Sequence, residues 1–147
     1  MTARRERPSG LERLQRLMDG PGSAPLGLLL GFRLTEIGDG FAVFEGTPGV
    51  QHYNPQATVH GGWTASVLDS ALGCAVETKL DPDHSYGTIE LKVNYVRPLT
   101  SDTGLVTCRG EVIHSGRRMA TSEARLVDRN GNLYAHGSCT CMIYEFK

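Results

Sequence analysis

This chain of 147 residues has no long apolar stretch. Its longest such run, Leu26 to Leu30 with Gly27 inside it, falls far short of the roughly 20 residues that cross a bilayer. The opening MTARRERPSG is polar and basic without an apolar centre, so neither a secretory signal nor a membrane anchor is expected. An excess of positive charge is missing too: 15 Lys and Arg face 16 Asp and Glu. With no basic face and no interleaving of aromatic with basic residues, no nucleic-acid partner is expected. Cysteine is scarce, at four, and no C-x-x-C occurs. Cys139 and Cys141, two apart on a strand, are badly placed to bridge each other, so all four are read as reduced thiols of a cytoplasmic protein. His52, His84, His114 and His136 are scattered without ligand spacing, which leaves no metal site to expect. Internal repeats and linkers are absent as well. One domain over residues 9–147 is expected, behind a disordered tail at 1–8.

What is present suits a packed globular protein. A chain of this length can bury roughly two-thirds of its unfolded surface. Ser9-Gly10-Leu11-Glu12 fits a capping box, and Leu11, Leu14 and Leu17-Met18 follow at helical spacing, so a short helix is expected over 10–19. Gly20-Pro21-Gly22 breaks it, and Pro25 to Leu29 can add a turn or two. Gly31–Ile37 and Phe41–Gly46 read as a hairpin about Gly38-Asp39-Gly40. Residues 52–79 then carry a polar loop into His60-Gly61-Gly62 and one long helix, with Ala65, Leu68, Leu72, Ala75 and Val76 on one stripe. Small residues around that stripe let another element approach closely. After the stop at Leu80–Ser85, strands are expected over Tyr86–Arg97, Gly104–His114, Arg118–Arg129 and Leu133–Glu145, the last two joined by a favoured hairpin turn at Asn130-Gly131.

That order, a short helix, two strands, a long helix and four strands, gives an α+β hotdog fold. A long central helix of about 18 residues is wrapped by a curved antiparallel sheet of about six strands. One helix covers only one sheet face, and oligomerisation is the simplest way to cover the rest.

Two features of the long helix carry chemistry. The glycine pair at its mouth offers free N–H groups and about half a positive charge to a developing oxyanion, with no Cβ in the way. Asp69 lies about 100° round the helix from Leu68, on the border of the apolar stripe. Gly61 and Asp69 are eight residues apart, about 12 Å along a helix, so they cannot both reach one carbonyl carbon. Two antiparallel helices related by a two-fold axis could bring Gly61 of one subunit to Asp69 of the other.

Asn54-Pro55 ahead of His60-Gly61-Gly62, with Asp69 in the helix and Gly87-Thr88-Ile89-Glu90-Leu91 after it, resembles the PaaI-type hotdog acyl-CoA thioesterases. The resemblance runs from about Leu29 to Met142. It implies hydrolysis of a small or medium, and in many relatives aromatic, acyl-CoA to free acid and CoA, without cofactor. It also implies a homodimer or a homotetramer. Acyl carrier protein in place of CoA stays open. By position, Gly61 would supply the oxyanion N–H and Asp69 would be nucleophile or general base. Asn54 would contact the thioester or water, and Thr88 would bond that water or the acid. His60, Gly62 and Trp63 would border the substrate. The family often has glycine where this chain has Ala57, and bulky Trp63 would narrow or line the acyl pocket. Arg97, Arg117 and Arg118 are candidates for the CoA phosphates.

Simpler readings stand beside these. His60 at a helix entrance can be purely structural, Glu77 a solvated residue and Glu90 an edge acid. Strand alternation sets Thr88 with Glu90, Lys92 and Asn94, away from Leu91 and Val93, so its reaching the acid requires a twist or bulge near Gly87. A non-catalytic acyl-CoA or ligand-binding protein is the main alternative. A dehydratase using His60 with Asp69 from the other subunit is the third.

Overall fold

The computed structural model describes residues 7–147, so positions 1–6 of the expected tail lie outside the described residues. Arg7 already sits 5.1 Å from the centre of the Phe146 ring, and the Pro8 carbonyl accepts from Arg13 Nη1 at 2.7 Å. Helix α1 (Gly10–Asp19) starts on the expected capping box, with the Ser9 N–H donating to Glu12 Oε2 at 2.7 Å. It is fastened to the middle of the chain. Arg13 Nε donates to Glu77 Oε1 at 2.7 Å, and the Gly10 N–H donates to the Leu80 carbonyl at 2.9 Å. Glu77, read from sequence as solvated, is instead only 17% exposed along its side chain. A charge-assisted bond this far from water contributes on the order of 1–2 kcal/mol. Helix α2 (Pro25–Leu30) follows, with proline at its start and Gly31 in the left-handed region at its end.

Six strands form one antiparallel sheet: β1 (Phe32–Gly38), β2 (Phe41–Gly46), β3 (His84–Tyr95), β4 (Val106–Ser115), β5 (Met119–Asp128) and β6 (Leu133–Glu145). Their order across the sheet is β1-β2-β4-β5-β6-β3, so the connection from β2 to β3 crosses the whole sheet. That connection carries α3 (Gly61–Glu77), which packs against β2 to β6. Val67, Leu68, Ala71, Leu72 and Val76 of α3 are fully buried in one cluster with Phe44, Val106, Cys108, Leu126 and Cys139. The helix can lie close because the sheet is small beneath it: a side chain at Gly110 would collide with the Ala71 carbonyl. Buried Ser122 ties the two layers together, its hydroxyl donating to the Leu72 carbonyl at 3.0 Å. The α+β hotdog architecture is therefore present, with α3 as its centre.

Two local features depart from the sequence reading. The Asn130-Gly131 connection is not the two-residue turn expected. Only Gly131 has positive φ, at 80°, and its N–H returns to the Asp128 carbonyl at 3.0 Å. The Asp128 carboxylate accepts from the N–H groups of Asn130 and Asn132, both at 2.9 Å, and this favours the longer loop. In β3, Thr88 pairs with Cys141 and Glu90 with Thr140, leaving Ile89 as an extra residue. Beyond that bulge Leu91 and Val93 oppose Cys139 and Gly137, so Thr88, Leu91 and Val93 share the face turned to α3. The bulge is what simple alternation lacked.

Candidate active site

At the mouth of α3 the loop from Asn54 is wound on its own side chain. Asn54 Oδ1 accepts from the N–H groups of Gln56 at 3.0 Å and Thr58 at 3.2 Å. The Ala57 N–H closes the turn on the Asn54 carbonyl at 3.1 Å. Ala57 takes φ +58°, where a Cβ is strained. His60 caps the helix: its Nδ1 accepts from the Gly62 N–H at 2.8 Å. On the other side of the Gly61–Gly62 peptide, the Tyr95 hydroxyl donates to the Gly61 carbonyl at 2.8 Å. The Gly62 N–H is thus used, whereas the Gly61 N–H has no acceptor among the described residues. It borders an open pocket of about 520 Å³ shared with Asn54, His60, Gly62, Tyr95, Arg97 and Tyr134. The helix terminus and the adjacent guanidinium make this pocket receptive to negative charge.

Two turns along α3, Asp69 lines a second cavity of about 580 Å³. It is half-buried, and the Thr88 hydroxyl donates to its Oδ1 at 3.0 Å. Oδ2 has no partner among the described residues. Cys74 shares this cavity, but burial, reinforced by the charge of Glu77, pushes its thiol up to about 12. At neutral pH it is a protonated thiol, which is a poor nucleophile. Tyr86 is likewise driven upward, chiefly by burial, and keeps its phenolic proton. Among the described residues, Asp69 is the only charged group lining the cavity.

The residues singled out from sequence thus fall into two groups. Asn54, His60, Gly61 and Gly62 gather at one pocket; Asp69 and Thr88 gather at the other. Trp63 joins neither. It is 3% exposed, its Nε1 donates to the Leu30 carbonyl at 2.8 Å, and its ring meets Phe32 edge-on at 6.4 Å. The acyl-pocket position expected for it is corrected to the core, because the first turn of α3 places it on the buried side. Of the three arginines, Arg97 lines the Gly61 pocket, while Arg117 and Arg118 are exposed elsewhere. Tyr95 went unrecognised in the sequence because its place in the apolar alternation of β3 marks it as a core residue. All four cysteines are free. Among the described residues no three His, Cys, Asp or Glu side chains are placed to hold a metal ion, and no helix is long and apolar enough to cross a membrane.

A helix laid on this sheet, with its N-terminus open and an acid two turns on, defines a class of protein. Residues 56–135, more than half of the chain, match the thioesterase superfamily, and the chain belongs to it. It is 23% identical over 114 residues to a 1,4-dihydroxy-2-naphthoyl-CoA hydrolase of Listeria monocytogenes serotype 1/2a (strain 10403S), covering 78% of this chain and 91% of that one. Among solved structures, the E. coli PaaI protein from the phenylacetic acid degradation operon superposes with a TM-score of 0.79 at 19% identity, over 94% of both chains. A variant of the phenylacetic acid degradation protein PaaI from Thermus thermophilus does so with a TM-score of 0.74 at 28% identity, over 81% of this chain and 98% of that one.

Proposed function

We propose that this protein is an acyl-CoA thioesterase that splits a small or medium acyl-CoA, with water, into the free acid and CoA. The single observation that carries the reading is the Asp69–Thr88 pair: a half-buried carboxylate held by one hydroxyl inside a cavity, on the helix whose own N-terminus leaves Gly61 open. In this scheme the thioester carbonyl oxygen accepts the Gly61 N–H. A preorganised donor of this kind is worth on the order of 10²–10³ in rate. Asp69 of the partner subunit attacks the carbonyl carbon, or takes the proton of an attacking water, through its free oxygen. Both roles need the carboxylate ionised. Thr88 fixes the other oxygen, and Asn54 faces the bound thioester from the loop. His60 holds the Gly62 N–H and so sets the helix mouth. Arg97, which lines the Gly61 pocket, would meet a CoA phosphate.

Because about 12 Å of helix separates Gly61 from Asp69, the site is shared across a two-fold dimer. Support comes from the free edge strand β3 and the residue after it, where Ile89, Tyr95 and Val96 are each more than half exposed. An apolar open edge of this kind calls for a partner. Two such dimers would pair to make the tetramer.

The test is hydrolysis of a panel of aryl- and alkyl-CoAs by wild type and Asp69→Ala, followed by loss of thioester absorbance. Wild type should turn over, and the variant, still dimeric, should fall by several hundredfold or more. If neither consumes CoA esters although the esters raise Tm, the protein is a binder and Asp69 is structural. Loss of water from an intact thioester would instead mark a dehydratase.

A further inference from the structure

We infer that the acyl group is received by the cavity beside Asp69, and that the N-terminal α1–α2 segment sets its length and polarity. This inference rests on the thioesterase reading above. Five residues lining the cavity, Leu17, Ser23, Ala24, Leu26 and Gly27, come from this segment, ahead of residues 56–135 that match the superfamily. The rest of the wall combines the rings of Phe32, Phe44 and Tyr86 with Asp69, Ser70, Cys74 and Thr88. The reacting carboxylate therefore opens onto a chamber whose far wall is the α1–α2 segment.

The segment is held in place along its length, with one exposed residue at the rim. The Arg13–Glu77 pair at 2.7 Å and the Gly10–Leu80 backbone bond at 2.9 Å pin α1, which carries Leu17. In α2, a side chain at Gly27 would collide with Ser23, so the short helix is seated by close packing. Leu26 is 55% exposed and forms the rim.

Charge decides the substrate class. Among the described residues no Lys, Arg or His lines the cavity, and Asp69 is its single charge. A second carboxylate on the acyl group would have to enter beside that anion, with no cation among the described residues of the wall to pair with. The acyl group is therefore an uncharged hydrocarbon or aryl chain, while the charged end of CoA remains at the Arg97 pocket.

The experiment uses full-length protein and two series of CoA esters: hydrolysable straight-chain acyl-CoAs from two to twelve carbons, with succinyl-CoA beside butyryl-CoA, and the matching non-hydrolysable thioethers. Leu17→Phe should shift the optimum to shorter chains, lowering both affinity and kcat/KM for the longest by tenfold or more relative to the shortest. Leu17→Ala should shift it the other way. Leu26→Trp, at an exposed rim that folding tolerates, should repeat the shortening. Succinyl-CoA should be at least 100-fold worse than butyryl-CoA. Unchanged length profiles in all three variants, or equal use of the two four-carbon esters, would overturn the inference. The thioethers separate the two readings. Affinity profiles that shift in protein without turnover uphold the acyl site and remove the hydrolase, whereas turnover with unshifted profiles does the reverse.

Discussion

Ala57 pays a conformational penalty that glycine would not. At φ +58° its Cβ crowds the following carbonyl, and the loop keeps it there because the Asn54 side chain holds both ends of the turn. Ala57→Gly should therefore stabilise the fold by about 0.5–1 kcal/mol, seen as a rise of roughly 1–4 °C in Tm. A fall in Tm would mean that the methyl group makes a contact worth more than the strain. His52, just ahead of this loop, accepts the Gly49 N–H on Nδ1 at 3.0 Å and lies with its ring 5.6 Å from Trp63. Burial lowers its pKa below the ordinary 6.5, so the folded state binds this proton less readily than the unfolded chain does. Its contribution to stability is complete above pH 6.5 and is lost as pH falls through the lowered folded value. Since Trp63 is the sole tryptophan, its emission should titrate with a midpoint below 6.5, and His52→Gln should abolish that titration. A midpoint above 6.5 would contradict the assignment.

At the scale of the element, the bulge in β3 is the decisive feature. It turns Thr88 toward α3 and onto Asp69, and the remainder of the strand resumes its apolar alternation beyond Ile89. Thr88→Val keeps the shape and removes the hydroxyl. It should lower kcat by about tenfold, with KM and Tm little changed, as the loss of one bond to the carboxylate proposed to react implies. An unchanged kcat would make Thr88 a packing residue. The element order and the capping box of α1 were legible in the sequence because periodicity, capping residues and glycine breaks act locally. The bulge was not, since Ile89 suits a regular strand and only pairing with β6 makes it an extra residue. Glu77 was misread for a related reason: its partner Arg13 lies 64 positions away. Trp63 looked like a pocket residue by its neighbours in sequence, whereas the packing of α1, α2 and β1 around α3 decides which side of the first turn is covered.

For the whole molecule, the proposed mechanism makes activity a property of the assembly, because Gly61 and Asp69 of one helix lie too far apart to share a carbonyl. Ile89→Asp with Val96→Asp, both exposed along the open β3 edge, should yield a monomer in analytical ultracentrifugation that hydrolyses no thioester. A monomer that stays active would contradict a shared site. The most direct measurement of that claim is complementation between two dead subunits. Asp69→Ala lacks the acid, and Gly61→Val places a side chain against the Tyr95 hydroxyl, 3.0 Å from where its Cβ would stand, at the mouth that must admit the carbonyl. Each homodimer should be inactive. Unfolded together and refolded as an equal mixture, half of the dimers are mixed and each holds one intact site, so about a quarter of wild-type activity should return. No recovery, with mixed dimers demonstrated in the same sample, would place both groups in one subunit's site or remove them from the chemistry altogether.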